Sequence, residues 1–446
     1  MTNARLRGLA LLTLCGAISC LWGFALLHAT LSDFKGVYYG ARCLFLGRDP
    51  YAVGASLKVY EEQGGSSLAP SDPTFQILNR QAYLPTAFLC VAPFAVLPWG
   101  PAHALWMLLS ECSLIFAAFL IWDCAAKEAS TPSLILLCFL LANGGILFAS
   151  GNAAAVSIGL CVVAVWCFFK DRFVPAGVIC LAIGLALKPH DTGLVWLYFL
   201  LIGGVHRKHA LQTLALAIVL AVPAGLWVTH NSPHWIHEFR SDLAAYDAPE
   251  GLNNPGPNAY TSRGPAMVID LQAAISIFRD DPRIYNPATY LVCGVLCLVW
   301  IVATARTRFS IPQGWVALAF VSPISLIAVY HRPYDAKLLM LTIPAFALLW
   351  TRRGRVGWFA LALTTLAIVV TSDVPLALLL ILNQALHVSI STLTGKLLTI
   401  VVLRPAPFFL FLLSVFFLGL YLKLGFKSQT RLEHPETASF EKSARM

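Results

Sequence analysis

The sequence predicts an all-α membrane protein that crosses the bilayer about twelve times. Of its 446 residues, 58% are hydrophobic and only 12% are charged, and the mean hydropathy is +0.73. A water-soluble globule of this length needs far more charge on its surface. Apolar runs close to the ~20 residues that span a bilayer as a helix recur along the chain, with short basic clusters between them.

The first apolar run extends from Gly8 to Ala29 and follows Arg5 and Arg7. A cleavable signal peptide is the alternative reading, but its apolar core usually has only ~7 to 15 residues. We therefore predict an uncleaved membrane anchor whose N-terminus is cytoplasmic.

Further apolar runs predict the remaining spans. They lie at 101–122, 132–149, 153–169, 174–187, 190–204, 210–230, 288–305, 313–330, 336–350, 356–372 and 397–422. Two places stay open: 174–204 is alternatively a pair of broken helices about Lys188-Pro189, and 374–391 is apolar enough for an interfacial helix.

Two long polar segments, 30–100 and 231–287, are predicted to be external. The first contains Tyr83 to Pro98, which is shorter than a span and holds three prolines, so we predict an interfacial helix. The predicted cytoplasmic loops and termini then hold 17 basic and 6 acidic residues, against 14 and 15 outside. This asymmetry follows the positive-inside rule. It predicts a membrane domain over 1–424 and a disordered cytoplasmic tail over 425–446.

The net charge of +9 comes from basic residues scattered between apolar runs, which the membrane explains better than a nucleic-acid partner. The twelve cysteines fall mostly in apolar runs without metal-ligand spacing, so we expect neither a metal nor a cofactor.

Ionisable residues gather at the predicted external ends of the spans, where a shared cavity would reduce the cost of burying them. The expected members are Asp33, Arg42, Lys188, His190, Asp191, His331, Arg332 and Asp335. A carboxylate can take a proton from a hydroxyl as a general base, and cations can neutralise a departing phosphate. The alternatives are a solvated helix end at Asp33, snorkelling side chains at Lys188 and Arg332, and a packing role for His331.

Several motifs in the chain resemble a known family. They are Asp33-Phe34, Tyr38-Tyr39-Gly40-Ala41-Arg42, Gly47-Arg48-Asp49-Pro50-Tyr51, Tyr83-Leu84-Pro85-Thr86, Ala186-Leu187-Lys188-Pro189 and Ser322-Pro323 before His331. Together they resemble glycosyltransferase family 87, membrane enzymes of the GT-C class. Many members have Gly-Gln before an asparagine where this chain has Ser150-Gly151-Asn152.

The resemblance implies a GT-C-like fold in a bacterial inner membrane, with both termini cytoplasmic and the site on the external face. It implies transfer of a hexose or pentose, mannose as the first guess, from a polyprenyl-phosphate donor to a glycolipid or glycan acceptor. Asp33 matches the family's base, and His331 matches its later histidine beside the donor phosphate.

The remaining site residues are assigned on that expectation. Lys188 and Arg332 join His331 in holding the phosphate. The sugar pocket is expected to comprise Tyr38, Tyr39, Arg42, Asn152, His190 and Asp191.

Two other classes of function stay open on the sequence. A transporter or lipid-linked-sugar flippase would line a pathway with intramembrane charges and broken helices, and internal inverted symmetry would favour it. A non-catalytic scaffold for envelope assembly would tolerate replacement of Asp33.

Overall fold

The computed structural model describes residues 8, 10–18, 32–257, 259, 268–351, 354–375, 377–378, 381 and 390–433. Within these residues the chain is helical, without a strand. Residues 10–18 are helical, and the α-helices that follow are Ser32–Phe45, Ala55–Glu62, Pro73–Asn79, Pro85–Ala95, Trp99–Ala142, Gly145–Ser150, Ala154–Lys170, Val174–Leu187, Pro189–Leu201, Gly204–Asn231, Trp235–Tyr246, Leu271–Ser276, Pro282–Arg306, Ile311–Ala328, Ile343–Trp350, Arg355–Val370, Leu393–Leu398 and Ala406–Glu433. A 3-10 helix, Pro333–Thr342, and a π-helical turn, Thr399–Leu403, complete the set.

Five helical stretches of the described chain are long and apolar enough to cross a membrane. They are Trp99–Ser150, Gly204–Asn231, Pro282–Arg306, Ile311–Ala328 and Ala406–Leu424. The protein is therefore an all-α membrane protein, as the composition predicted. Ile311–Ala328 is 78% buried and forms the centre of the bundle, whereas Gly204–Asn231 and Pro282–Arg306 are only 17% and 22% buried and expose apolar side chains.

The Trp99–Ala142 helix is broken at Ala129, whose backbone angles (φ −146°, ψ 64°) are not helical. Pro132 explains the break, because it lacks the N–H that would pair with the carbonyl of Glu128. Beyond the break the chain turns back, since Trp106 Nε1 donates to the carbonyl oxygen of Gly151 at 2.8 Å. A straight helix would place these residues roughly 65 Å apart. The fold-back agrees with separate spans at 101–122 and 132–149.

Two further helix breaks fall at residues that precede proline. Lys188 (φ −152°) separates Val174–Leu187 from Pro189–Leu201, and Arg404 (φ −132°) precedes Ala406–Glu433. Proline disfavours the helical conformation of the residue before it. Lys188 thus matches the broken-helix alternative. The span expected over 397–422 is found from Ala406 to Leu424, so it begins later than predicted, after the break at Arg404.

The last helix is described as far as Glu433, nine residues beyond the membrane domain expected over 1–424. The disordered cytoplasmic tail over 425–446 stays a prediction. Extending an existing helix adds a backbone hydrogen bond for each residue that becomes ordered, which favours propagation.

The remaining expectations concern the short helix after Tyr83 and several segments that the structure does not describe. Pro85–Ala95 has 11 residues, about 16 Å of helix, which is too short to span the bilayer. Much of the first apolar run, most of 374–391 and the tail from 434 lie outside the described residues.

Candidate functional site

A cavity of 400 Å³ lies where several helices begin or end. Its lining residues are Asp33, Ile77, Ala82, Tyr83, Leu84, Asn152, Ala153, Leu187, Lys188, Pro189, His190, Phe239, Leu243, Tyr246, Asp247, Leu252, Asn253, Val329, Tyr330, Arg332 and Tyr334. Widely separated segments of the chain therefore contribute to one enclosure with both acidic and basic groups.

Four α-helices begin at the cavity wall: Ser32–Phe45, Pro85–Ala95, Ala154–Lys170 and Pro189–Leu201. In each, a residue of the first turn or the residue just before the helix lines the cavity. A helix N-terminus carries about half a positive charge, because its first N–H groups lack partners within the helix. The backbone therefore favours an anion in this cavity before any side chain is considered.

Asp33 is held in a defined orientation by its neighbours. Asn152 Nδ2 donates to Asp33 Oδ2 at 2.8 Å, and the Tyr334 hydroxyl donates to the same oxygen at 3.3 Å. The Tyr83 hydroxyl donates to the backbone carbonyl of Asp33 at 3.0 Å. The backbone N–H of Ala154 fixes the amide of Asn152 by donating to its Oδ1 at 2.9 Å. Among the described residues, these side-chain bonds reach Oδ2, which leaves Oδ1 available to an incoming hydroxyl.

Lys188 is paired with two carboxylates. Its Nζ donates to Asp335 and lies 3.4 Å from Asp191 Oδ2. Asp335 also accepts the backbone N–H of Arg332 at 2.9 Å. Lys188 therefore lines the cavity with a charge that is already largely balanced.

His331 is completely buried behind the cavity wall and does not line the cavity. Its Nδ1 lies 2.9 Å from the carbonyl oxygen of Val329, and its Nε2 lies 3.1 Å from Asp191 Oδ1. Both partners can only accept, so we assign a proton to each ring nitrogen. Burial lowers the pKa of His331, but the hydrogen bond with Asp191 and the charges of Asp335 and Asp191 outweigh it and raise the pKa above its ordinary value. The two acceptor contacts are those of an imidazolium, which supports Asp191.

Arg332 has neutral partners. Its Nε donates to the Tyr330 hydroxyl, and its Nη2 donates to the carbonyl of Leu252 at 3.0 Å. Among the described residues, no carboxylate lies within ion-pair distance of its guanidinium, although Asp33 is close enough to interact with it electrostatically. Arg332 thus brings the least compensated positive charge to the cavity wall.

His190, Asp191 and His331 have ligand atoms within 4.8 Å of one another, and these donor types can bind a transition metal. The Lys188 ammonium competes for Asp191, and a doubly protonated His331 has no lone pair to give. These contacts fit an ion-pair network better than a metal site.

The structure brings together most of the predicted site residues. Asp33, Asn152, Lys188, His190 and Arg332 line the cavity. Asp191, fully buried, packs directly behind Lys188.

Tyr38, Tyr39 and Arg42, which were expected to shape the sugar pocket, do not line the cavity. The Tyr38 hydroxyl donates to the carbonyl of Leu97, and Tyr39 stacks on Trp99 at a centroid distance of 5.9 Å. Arg42 donates to the carbonyl of Ala95 at 2.9 Å, at the end of the Pro85–Ala95 helix. These residues lie about one and a half to two and a half helical turns beyond Asp33, roughly 8–14 Å along the axis, so they contact other elements.

Sequence reasoning missed the aromatic and polar rim formed by Tyr83, Tyr246, Tyr330, Tyr334 and Asn253. Tyr330 and Tyr334 flank the predicted His331 and Arg332, so their position was a usable signal. Tyr246 ends the Trp235–Tyr246 helix and Asn253 follows it, in a polar segment of the sequence without a recognisable motif.

No family model, curated protein or solved structure matches this chain in comparisons of its sequence and fold.

Proposed function

We propose that this protein is a membrane glycosyltransferase that moves a hexose or pentose from a polyprenyl-phosphate donor to an acceptor hydroxyl. The observation that carries the proposal is a single cavity with an oriented carboxylate, Asp33, and a guanidinium with neutral partners, Arg332. The first is suited to take a proton and the second to hold a phosphate.

In the proposed reaction, Asp33 Oδ1 removes the proton from the acceptor hydroxyl as its oxygen attacks the anomeric carbon. The bond between the anomeric carbon and the phosphate oxygen breaks, and polyprenyl phosphate leaves with that electron pair. The anomeric configuration inverts. The proton on Asp33 then passes to water, which restores the carboxylate.

The developing phosphate charge is stabilised by Arg332 and by the helix N-termini at the cavity wall. Lys188 acts secondarily, because two carboxylates already hold it. His331 acts through Asp191 rather than by touching the phosphate.

The GT-C-like arrangement with twelve spans belongs to the same proposal, as does its place in a bacterial inner membrane with the cavity on the outer face. Most cavity residues come from segments that the positive-inside rule assigns to the outside. A lipid-linked donor fits an enclosure formed at the ends of membrane helices.

The test is transfer of labelled sugar from a panel of polyprenyl-phosphate donors to a lipid-extract acceptor pool by the purified protein. Asp33→Asn is expected to reduce transfer by at least ~10²-fold, because it removes the base. Asp123→Asn is the matched control, since Asp123 contacts Lys170 and lies outside the cavity lining. Equal transfer by the parent and Asp33→Asn would refute the assignment. Donor binding without transfer by any donor, followed by donor movement between vesicle leaflets, would favour the flippase alternative.

A further inference from the structure

A second, smaller recess adjoins the cavity, and the proposed mechanism gives it no role. Its volume is 190 Å³, and it lies between the C-terminal end of Pro73–Asn79 and residues 245–252. Gln76, Asn79 and Arg80 form one side. Tyr246 and Leu252 line both this recess and the main cavity, so the two spaces share a wall.

The charges in the recess disfavour an ionic ligand. Arg80 is paired with Asp242 at 2.9 Å, which leaves its guanidinium compensated. Among the lining residues that the structure describes, Glu250 is the one carboxylate and is exposed, so it offers a metal a single ligand and repels a phosphate. Gln76 and Asn79 carry amides, which donate and accept hydrogen bonds equally well. An uncharged, hydroxyl-rich molecule suits this chemistry.

The recess is built on ordered contacts. Asp242 accepts both the Arg80 side chain and the backbone N–H of Gln81 at 2.9 Å, and the Tyr246 hydroxyl donates to the carbonyl of Arg80 at 3.1 Å. A Cβ on Gly251 would lie 2.1 Å from the carbonyl oxygen of Tyr246, so only glycine fits this turn.

The shared wall is also attached to the cavity. Arg332 Nη2 donates to the carbonyl of Leu252 at 3.0 Å. The proposed phosphate-binding residue therefore holds the partition between the two spaces in place.

We propose that this recess, the acceptor groove, binds an uncharged sugar unit of the acceptor. The inference rests on the proposed glycosyltransferase function and adds a binding site for the glycolipid or glycan acceptor that the resemblance implies. With one sugar in the acceptor groove, we expect the next unit of the acceptor to extend past Tyr246 into the cavity that Asp33 lines. The acceptor is then a molecule that already contains a sugar.

The first test compares the parent with the double variant Gln76→Ala/Asn79→Ala. We expect the acceptor KM to rise about 10- to 30-fold through loss of two hydrogen-bonding side chains, with slow hydrolysis of the donor by water unchanged. Gln212→Ala is the matched control, because Gln212 is exposed and lies in a separate recess beside Arg207 and Lys208. An unchanged acceptor KM in the double variant would overturn the groove assignment.

The second test measures saturation-transfer NMR signals from methyl glycosides of common hexoses and pentoses on the purified full-length protein. Signals that the parent gives and the double variant loses, with Gln212→Ala retaining them, support the acceptor groove even if no transfer is found. Absence of signals from the parent, or equal signals from the double variant, overturns it. The transfer assay with Asp33→Asn can thus refute the proposed function, and the NMR experiment can separately refute the acceptor groove.

Discussion

At the scale of single residues, Asn152 shows how the fold orients the carboxylate of Asp33. Its Oδ1 is occupied by the N–H of Ala154, so Nδ2 must face the Asp33 carboxylate. Asn152 lies 119 residues from Asp33 in the sequence. It was expected in the sugar pocket, and the structure gives it an additional part in positioning Asp33.

We expect Asn152→Ala to lower kcat by about 10- to 100-fold while the donor KM changes little, because a hydrogen bond to a charged group is lost. Asn253→Ala is the control, since Asn253 also lines the cavity but has no bond to Asp33 among the described residues. Rates over a range of donor concentrations measure both constants. A fall in kcat of the same size in Asn253→Ala would contradict the positioning role.

The sequence predicted Asp33, Lys188 and Arg332 for a physical reason. Charged groups at the ends of apolar runs need a shared polar enclosure. Tyr38 and Arg42 were expected beside Asp33 but do not line the cavity, because residues farther along the same helix contact other elements. Lys188 is more fully compensated than Arg332 partly because of Asp335, which lies 147 positions away and which no local pattern reveals.

At the scale of elements, close contact between helices depends on small residues. A Cβ on Gly159 would lie 2.7 Å from Ser113 Cβ and 2.8 Å from the Ser113 carbonyl carbon. Helix Ala154–Lys170 therefore packs almost backbone to backbone against Trp99–Ala142, as is common between membrane helices.

We expect Gly159→Ala to destabilise the protein by about 1–3 kcal/mol, because the contacted backbone has little room to move. Gly225→Ala is the matched control in a helix, since nothing lies within 4 Å of a Cβ there. Thermal unfolding in detergent should show a lower midpoint for Gly159→Ala alone. Equal midpoints for both variants would contradict this prediction, because they would show that the close contact at Gly159 contributes no measurable stability.

The break at Ala129 falls between the runs predicted at 101–122 and 132–149. The proline after Lys188 indicated the second break. The break at Arg404 follows the same rule but lay inside an apolar run, and hydrophobicity outweighed it in the prediction. The 3-10 helix Pro333–Thr342 had no sequence signal, because its ten residues are all buried and fit an ordinary span equally well.

At the scale of the whole molecule, the buried charges near the cavity form a balanced set. Asp33, Asp191 and Asp335 face Lys188, Arg332 and the imidazolium of His331. The groups that act on His331 come from several elements: Asp191, Lys188 and His190 from one break, Asp335 from the 3-10 helix, and Asp270 from a separate loop.

This balance predicts a pH dependence. Because the pKa of His331 is raised in the folded protein, its contribution to stability is complete below pH ~6.5 and is lost as the pH rises through the raised value. We expect the thermal midpoint and kcat/KM for the donor to fall together on that alkaline side. His331→Gln should remove this dependence, whereas His234→Gln should retain it. If the midpoint and kcat/KM still fall at alkaline pH in His331→Gln, another titrating group causes the fall.

Composition and apolar runs thus established the all-α membrane class, and the positive-inside rule led to the expectation of one polar cavity. The partners inside that cavity come from contacts between distant segments, which only the folded chain defines. The acceptor groove illustrates this, since Gln76 and Asn79 meet Tyr246 across more than 160 positions.

The four helix N-termini at the cavity wall affect how anion binding responds to pH and to substitution. Main-chain dipoles neither titrate nor change when a side chain is replaced. Attraction for an anion therefore persists in alkali and in variants that lack any single cation. Individual basic residues around the cavity can therefore serve mainly to orient a particular substrate. Binding of the substrate's negative charge does not depend on these residues alone.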